Sequence, residues 1–135
     1  MRTAIDTSVL LDLLSDDPVH AAASEAALRR VARDGALLVC ECVLTEIAPS
    51  FARDDEVEEF IADLPLQFVP SSRESALLAG TMFRSYLSRR AAAGPRRVVP
   101  DFLIGAHART FADRLLARDR GYYRDYFKGL ALLVP

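Results

Sequence analysis

At 135 residues, 51% of them hydrophobic, the chain is long enough for one domain with a substantial core and too apolar to be disordered. A formal net charge of −2 excludes a general attraction to nucleic acid, and no apolar run approaches the ~18 residues that a membrane helix requires. Sixteen of the seventeen cations are Arg, with Lys128 the exception, so any phosphate recognition would rest on guanidinium groups, which suit bidentate contacts.

In chain order, residues 2–6 (RTAID) read as a short strand ending in an acid. No charged-then-apolar leader is evident, so a secretory signal is not expected and a cytoplasmic location is. Residues 8–14 (SVLLDLL) are predicted helical, with Val9, Leu10, Leu13 and Leu14 near one side. DDP at 16–18 breaks that helix and starts another, from about His20 to Arg33, closed by Gly35. ALLVC (36–40) is wholly apolar, as suits a parallel strand covered on both faces. A helix over 42–51 with Pro49 as a kink or stop follows, then an acid-led helix over 54–64. LQFV (66–69) is a third strand, and residues 71–93 form a long helix that Ser71 or Ser72 can cap. GPRRV (94–98) is a basic loop, residues 101–112 a helix, and RLLA (114–117) a fourth strand. YYRDYF makes a turn or short helix before a final strand at 130–134. Strands and helices thus alternate throughout, which predicts one α/β domain over 1–135 with a mainly parallel sheet.

The cysteines carry little. Cys40 and Cys42 are two residues apart and would face opposite sides of a strand, so neither a disulfide nor a zinc pair is expected. Buried thiols in a reducing compartment are the better reading.

The acids carry more. In VVPDFLIGAHA (98–108), a lone carboxylate, Asp101, sits at the mouth of an apolar helix. Alone it reads as an N-cap. But Asp6 ends the first strand, Glu46 lies in the helix after the second, and Asp119 falls two residues past the fourth. In an open parallel sheet the C-terminal strand ends form one edge, where ligands bind. Four carboxylates gathered there repel one another and call for a cation. An all-oxygen donor set suits Mg2+ or Mn2+, which can activate water and stabilise charge on a phosphoryl oxygen. The chemistry that follows is phosphodiester hydrolysis.

AIDTSVLLDLL, CVLTEIAPSF, VVPDFLIGAHA and LLARDRGYYRDYF, in that order and spacing, resemble the four motifs of PIN-domain proteins, and more narrowly the VapC-type ribonuclease toxins of prokaryotic toxin–antitoxin modules. The resemblance spans essentially the whole chain. It implies a PIN-like three-layer α/β/α fold with about five parallel strands and a Mg2+- or Mn2+-dependent endoribonuclease leaving 5′-phosphate and 3′-hydroxyl ends. It further implies a homodimer and a cognate antitoxin. Position by position, it assigns Asp6, Glu46, Asp101 and Asp119 as metal-binding catalytic acids and Thr7 and Ser8 as polar support. One departure stands out: Ala117 occupies the place where many relatives carry Thr or Ser, which puts the polar support of Asp119 in doubt.

Around these acids, Arg96, Arg97, Arg118 and Arg120 are candidates for RNA backbone contacts, with Tyr122 and Tyr123 as stacking platforms. The competing reading is a solvated loop and a core-anchoring Tyr pair. Glu41 reads as a helix-start acid or a fifth ligand, Asp12 and Asp125 as exposed, and His20 and His107 as surface or structural groups. No Ser–His–Asp arrangement, P-loop or dinucleotide fingerprint is present. The alternative function is a PIN-like module that binds RNA or protein without cutting. Phospho-aspartate chemistry is disfavoured, since a phosphatase of the haloacid-dehalogenase type wants a second Asp where Ser8 stands.

Overall fold

Five short strands, β1 (Thr3–Ile5), β2 (Leu37–Val39), β3 (Leu66–Phe68), β4 (Arg114–Leu116) and β5 (Ala131–Leu133), form one sheet in the order β3-β2-β1-β4-β5, every neighbouring pair parallel. The computed structural model describes residues 1–89, 99–118 and 121–135. Seven helices appear among these: α1 (Thr7–Leu14), α2 (Ala21–Asp34), α3 (Glu41–Ile47), α4 (Asp54–Asp63), α5 (Arg73–Arg89), α6 (Val99–Phe111) and α7 (Gly121–Tyr126). This is the three-layer α/β/α arrangement that the family resemblance implies, with the parallel sheet expected from the alternating pattern. Every residue of β1 and β2 is buried, which explains why these strands read as unbroken apolar runs. At the edge, β3 leaves Phe68 exposed.

The strand order places the reversal between β1 and β4. The chain steps outward from β1 to β3, then returns to the other side of β1 for β4 and β5. Crossovers depart in opposite directions from that point, leaving a crevice above the C-terminal ends of β1 and β4. The β1–β4 pairing runs to the strand end, where Asp6 N–H donates to Leu116 O at 2.9 Å. Beneath the crevice, Ile5, Leu10, Ile47, Phe102, Leu115 and Leu116 are fully buried.

Several local expectations shift. The helix expected over 42–51 ends at Ile47, and Ala48–Ser50 tighten into a 3₁₀ turn around Pro49, which lacks the N–H to continue the helix. Cys40 and Cys42 do not flank a strand: Cys40 precedes α3 as its N-cap and Cys42 lies within it. Both are free, and burial beside Cys40 pushes the Cys42 thiol up to about 12, so it stays protonated. The long helix expected over 71–93 is described from Arg73 to Arg89, and the GPRRV loop lies outside the described residues. Helix α6 begins at Val99, so Asp101 occupies its first turn rather than its N-cap.

Two residues of α6 explain how it sits. A Cβ on Gly105 would lie 2.4 Å from the Phe127 ring, so the missing side chain lets the segment after α7 pack directly on α6. His107 is 1% exposed, and its Nε2 lies 2.8 Å from Val69 O, tying α6 to the residue after β3. Burial holds the imidazole below its ordinary pKa, against the smaller raising effects of that bond and of Glu41. The structural reading of His107 is the one observed.

Gly105→Ala should destabilise the fold by about 1–2 kcal/mol, overpacking against Phe127 exceeding the roughly 1 kcal/mol gained in helix propensity; the denaturation midpoint checks this. Because the folded His107 pKa lies below the unfolded value, the unfolded chain binds the extra proton. Stability should therefore be full above about pH 6.5 and decline as pH falls below it. Denaturant titrations between pH 7 and 5 should show this decline, and His107→Gln should flatten it.

Candidate functional site

Asp6 follows β1 directly and caps α1. Its backbone is extended, and its Oδ2 accepts from Ser8 N–H at 3.1 Å and from the Ser8 hydroxyl. Its Oδ1 accepts from the Tyr123 hydroxyl at 2.7 Å. Although Asp6 is buried, both its oxygens therefore have donors. The neighbouring Thr7 turns its hydroxyl the other way and donates to Glu46 Oε1 at 2.9 Å, joining α1 to α3. Thr7 and Ser8 thus each support a different acid.

Glu46 is exposed overall, but its carboxyl end reaches the buried Thr7. Partial burial pushes its pKa up, the Thr7 bond opposes this, and the negative charges of Asp6 and Asp101 raise it further. Three acids from three separate elements thus share one electrostatic neighbourhood. Asp101 is half-buried in the first turn of α6. Among the described residues, no three His, Cys, Asp or Glu side chains stand close enough together to hold a metal ion as they are placed. Asp119, Arg96, Arg97 and Arg120 lie outside the described residues. The donor chemistry of the three described acids fits a hard divalent cation, since their mutual repulsion is what such an ion relieves.

Arg118, last described residue before Asp119, is anchored twice. Its N–H donates to the Ser8 hydroxyl at 3.2 Å, and its guanidinium grips Asp12 through Nε at 3.1 Å and Nη2 at 2.9 Å. Asp12 also accepts from the Ser24 hydroxyl at 2.7 Å and is 2% exposed. This overturns the expectation of an exposed Asp12: the buried acid pairs with the part-exposed Arg118 and links α1, α2 and the end of β4. It also leaves the Arg118 fork on a carboxylate. Tyr123 is 2% exposed and bonded to Asp6, so the core-anchoring alternative holds for it rather than base stacking. Glu41 is a helix-start acid: its Oε2 accepts from Ser71 N–H at 2.9 Å. Burial opposes its ionisation, but Ser71, its own N–H and nearby His107 hold its pKa below the usual range. Asp125 is exposed, as expected.

A cleft of about 690 Å3 lies between α5, α6 and α7, lined by Leu78, Met82, Arg89, Arg109, Tyr126 and Lys128 among others; Asp6, Glu46 and Asp101 do not line it.

The PIN domain family model matches residues 3–128, and the chain belongs to that family. Among solved structures, VapBC-1 from nontypeable Haemophilus influenzae is similar at a TM-score of 0.72 and 15% identity, covering 99% of this chain and 98% of that one. VapBC2 from Rickettsia felis, bound to a DNA fragment from its promoter, gives a TM-score of 0.70 at 15% identity, with coverage of 99% and 98%. Mycobacterium tuberculosis VapC20, a Sarcin-Ricin loop cleaving toxin, gives 0.61 at 14% identity, with coverage of 98% and 99%. At these identities the likeness is one of fold. The search of curated proteins gave no match.

Removing the buried acid should expose how much the pair at the end of β4 matters. Asp12→Ala should lower stability by about 1–3 kcal/mol, because Ser24 loses its acceptor while the part-exposed Arg118 can turn to water. Asp12→Asn, which keeps the shape and one acceptor, should lose less. Equal denaturation midpoints for Asp12→Ala and the unsubstituted protein would remove the pair from the list of structural supports.

Proposed function

From membership of the PIN-domain family, we propose that this chain is a metal-dependent endoribonuclease, the toxin of a VapBC-type toxin–antitoxin pair. The observation that carries the reading is geometric: at the strand-order reversal the consecutive residues Thr7 and Ser8 hold Glu46 and Asp6, acids from two separate elements, with Asp101 in the first turn of α6 close enough to act on Glu46. Carboxylates from separate elements that share one electrostatic neighbourhood are well suited to a cation. The VapBC and VapC20 structures support a toxin with an antitoxin partner and an RNA substrate.

Asp6, Glu46, Asp101 and Asp119 hold the cation, Mg2+ or Mn2+. When bound, it lowers the pKa of water and stabilises charge on a phosphoryl oxygen. The chain's own residues set the geometry. Ser8 fixes the plane of the Asp6 carboxylate, and Thr7 holds Glu46 Oε1, leaving its second oxygen for the site. Arg96, Arg97 and Arg120 grip the RNA backbone. Arg118, engaged by Asp12, contributes positive charge at the rim rather than a free fork. The protein works in the cytoplasm as a homodimer, and its antitoxin blocks the acidic edge.

Cleavage of total RNA by the purified protein with Mg2+, with Mn2+ and with chelator tests this, beside Asp101→Asn prepared identically. Cutting should require the metal and fall more than about 100-fold in the variant, beyond the 10–100-fold typical of losing an outer partner of a ligand. A folded protein that takes up metal yet cuts none of the RNA would favour the binding-only alternative.

A further inference from the structure

The Tyr123 hydroxyl reaches across 117 positions of sequence to donate to Asp6 Oδ1 at 2.7 Å. That contact is built into the core. Tyr123 is buried, its ring lies 6.5 Å from that of Phe127, and Phe127 N–H donates to Tyr123 O at 2.8 Å. Phe127 in turn fills the space that Gly105 leaves open on α6. Tyr123 thus has little rotational freedom, and its hydroxyl is held where β1 ends.

We propose that Tyr123 is a positioning residue for the metal-binding acid Asp6, aiming the carboxylate rather than merely filling the core. An ionised carboxylate has about four acceptor sites. Ser8 N–H and the Ser8 hydroxyl take those of Oδ2, and Tyr123 takes one of Oδ1. Three donors from two directions fix both the plane and the rotation of the group and leave one site, on Oδ1, for a cation. With Ser8 alone the carboxylate is held at one oxygen only and can swing about it. Outer partners that orient a metal ligand in this way commonly contribute a factor of ten or more to metal affinity. The Ser8 half of the clamp is itself braced, since the Ser8 hydroxyl accepts from Arg118 N–H. Asp6 is therefore held by the two segments that flank Asp119 in sequence.

The proposal rests on the reading of the acidic edge as a cation site. Tyr123→Phe tests it, because the ring stays and only the hydroxyl goes. Mn2+ affinity is measured by calorimetry on both proteins, with the metal dependence of RNA cleavage and the melting temperature alongside. The expected result is an affinity about tenfold weaker, cleavage restored by about tenfold more Mn2+, and a melting temperature within about 4 °C of the unsubstituted protein. Equal affinities would overturn the proposal and leave the nuclease reading standing. Absence of Mn2+ uptake by the unsubstituted protein would overturn both. A variant that melts far lower, with cleavage not restored by metal, would place the work of the hydroxyl in the fold and overturn the proposal.

Discussion

The pairing of β1 with β4 is the constraint from which the acidic edge follows. It joins the first strand of the chain to one more than a hundred residues later, with Thr3 opposite Arg114 and Ile5 opposite Leu116. Parallel pairing sends both strand ends the same way, so Asp6 and the segment after Leu116 emerge side by side. The crossovers that leave there diverge. Helix α6, packed on both strands, adds Asp101 from its first turn, and α3 adds Glu46 across Thr7. Had β4 been added beyond β3, Asp6 and the C-terminal end of β4 would stand at opposite sides of the sheet.

Gathering negative charge at one edge has to be offset. For Asp6 and Glu46 the described donors are hydroxyls and a backbone N–H group. Asp6 has Ser8 and Tyr123, and Glu46 has Thr7. Neutral donors stabilise a carboxylate without cancelling its charge, so the field that attracts a cation survives. Arg118, whose backbone N–H bonds the Ser8 hydroxyl, has its guanidinium engaged by Asp12, a second acid deeper in α1. One consequence is that Arg118 supports the end of β4 without neutralising Asp6.

Much of this is legible in the residues. The central strands are continuous apolar runs because both their faces are covered, and the acids at their ends stand out against that background. Asp6 and Asp101 are visible for the same reason: each is a lone charge beside a segment that must be buried. Asp12 carries the same signature inside VLLDLL, yet its spacing from Asp6 suggests a solvent-facing side. Its true partners, Ser24 and Arg118, come from 12 and 106 positions away, and local periodicity carries no trace of them. Tyr123 is hidden similarly. A tyrosine beside a basic, acidic motif fits RNA stacking and core anchoring equally well until the fold shows its hydroxyl on Asp6. Helix ends were less legible where proline acts: Pro49 stops α3 two residues ahead of it by forcing a 3₁₀ turn, and α6 starts before Pro100.

A carboxylate at the mouth of a helix can serve both as a cap and as a ligand in the proposed site. Asp6 accepts Ser8 N–H at the start of α1 as any N-cap would, and the same bond fixes one of its oxygens. A cap is an oriented carboxylate in a field of backbone N–H groups, which is also what a preorganised ligand requires. What separates the two roles is the second oxygen. A cap alone leaves it to water; here Tyr123 holds it from the far end of the chain, through a ring beside Phe127, which itself packs on Gly105. Asp101 differs in kind. It lies inside the first turn of α6, where it complements the positive end of the helix and raises the Glu46 carboxyl through space. Two acids that look alike in sequence therefore reach the proposed site by different means, one as a clamped cap and one as a charge placed by the helix axis.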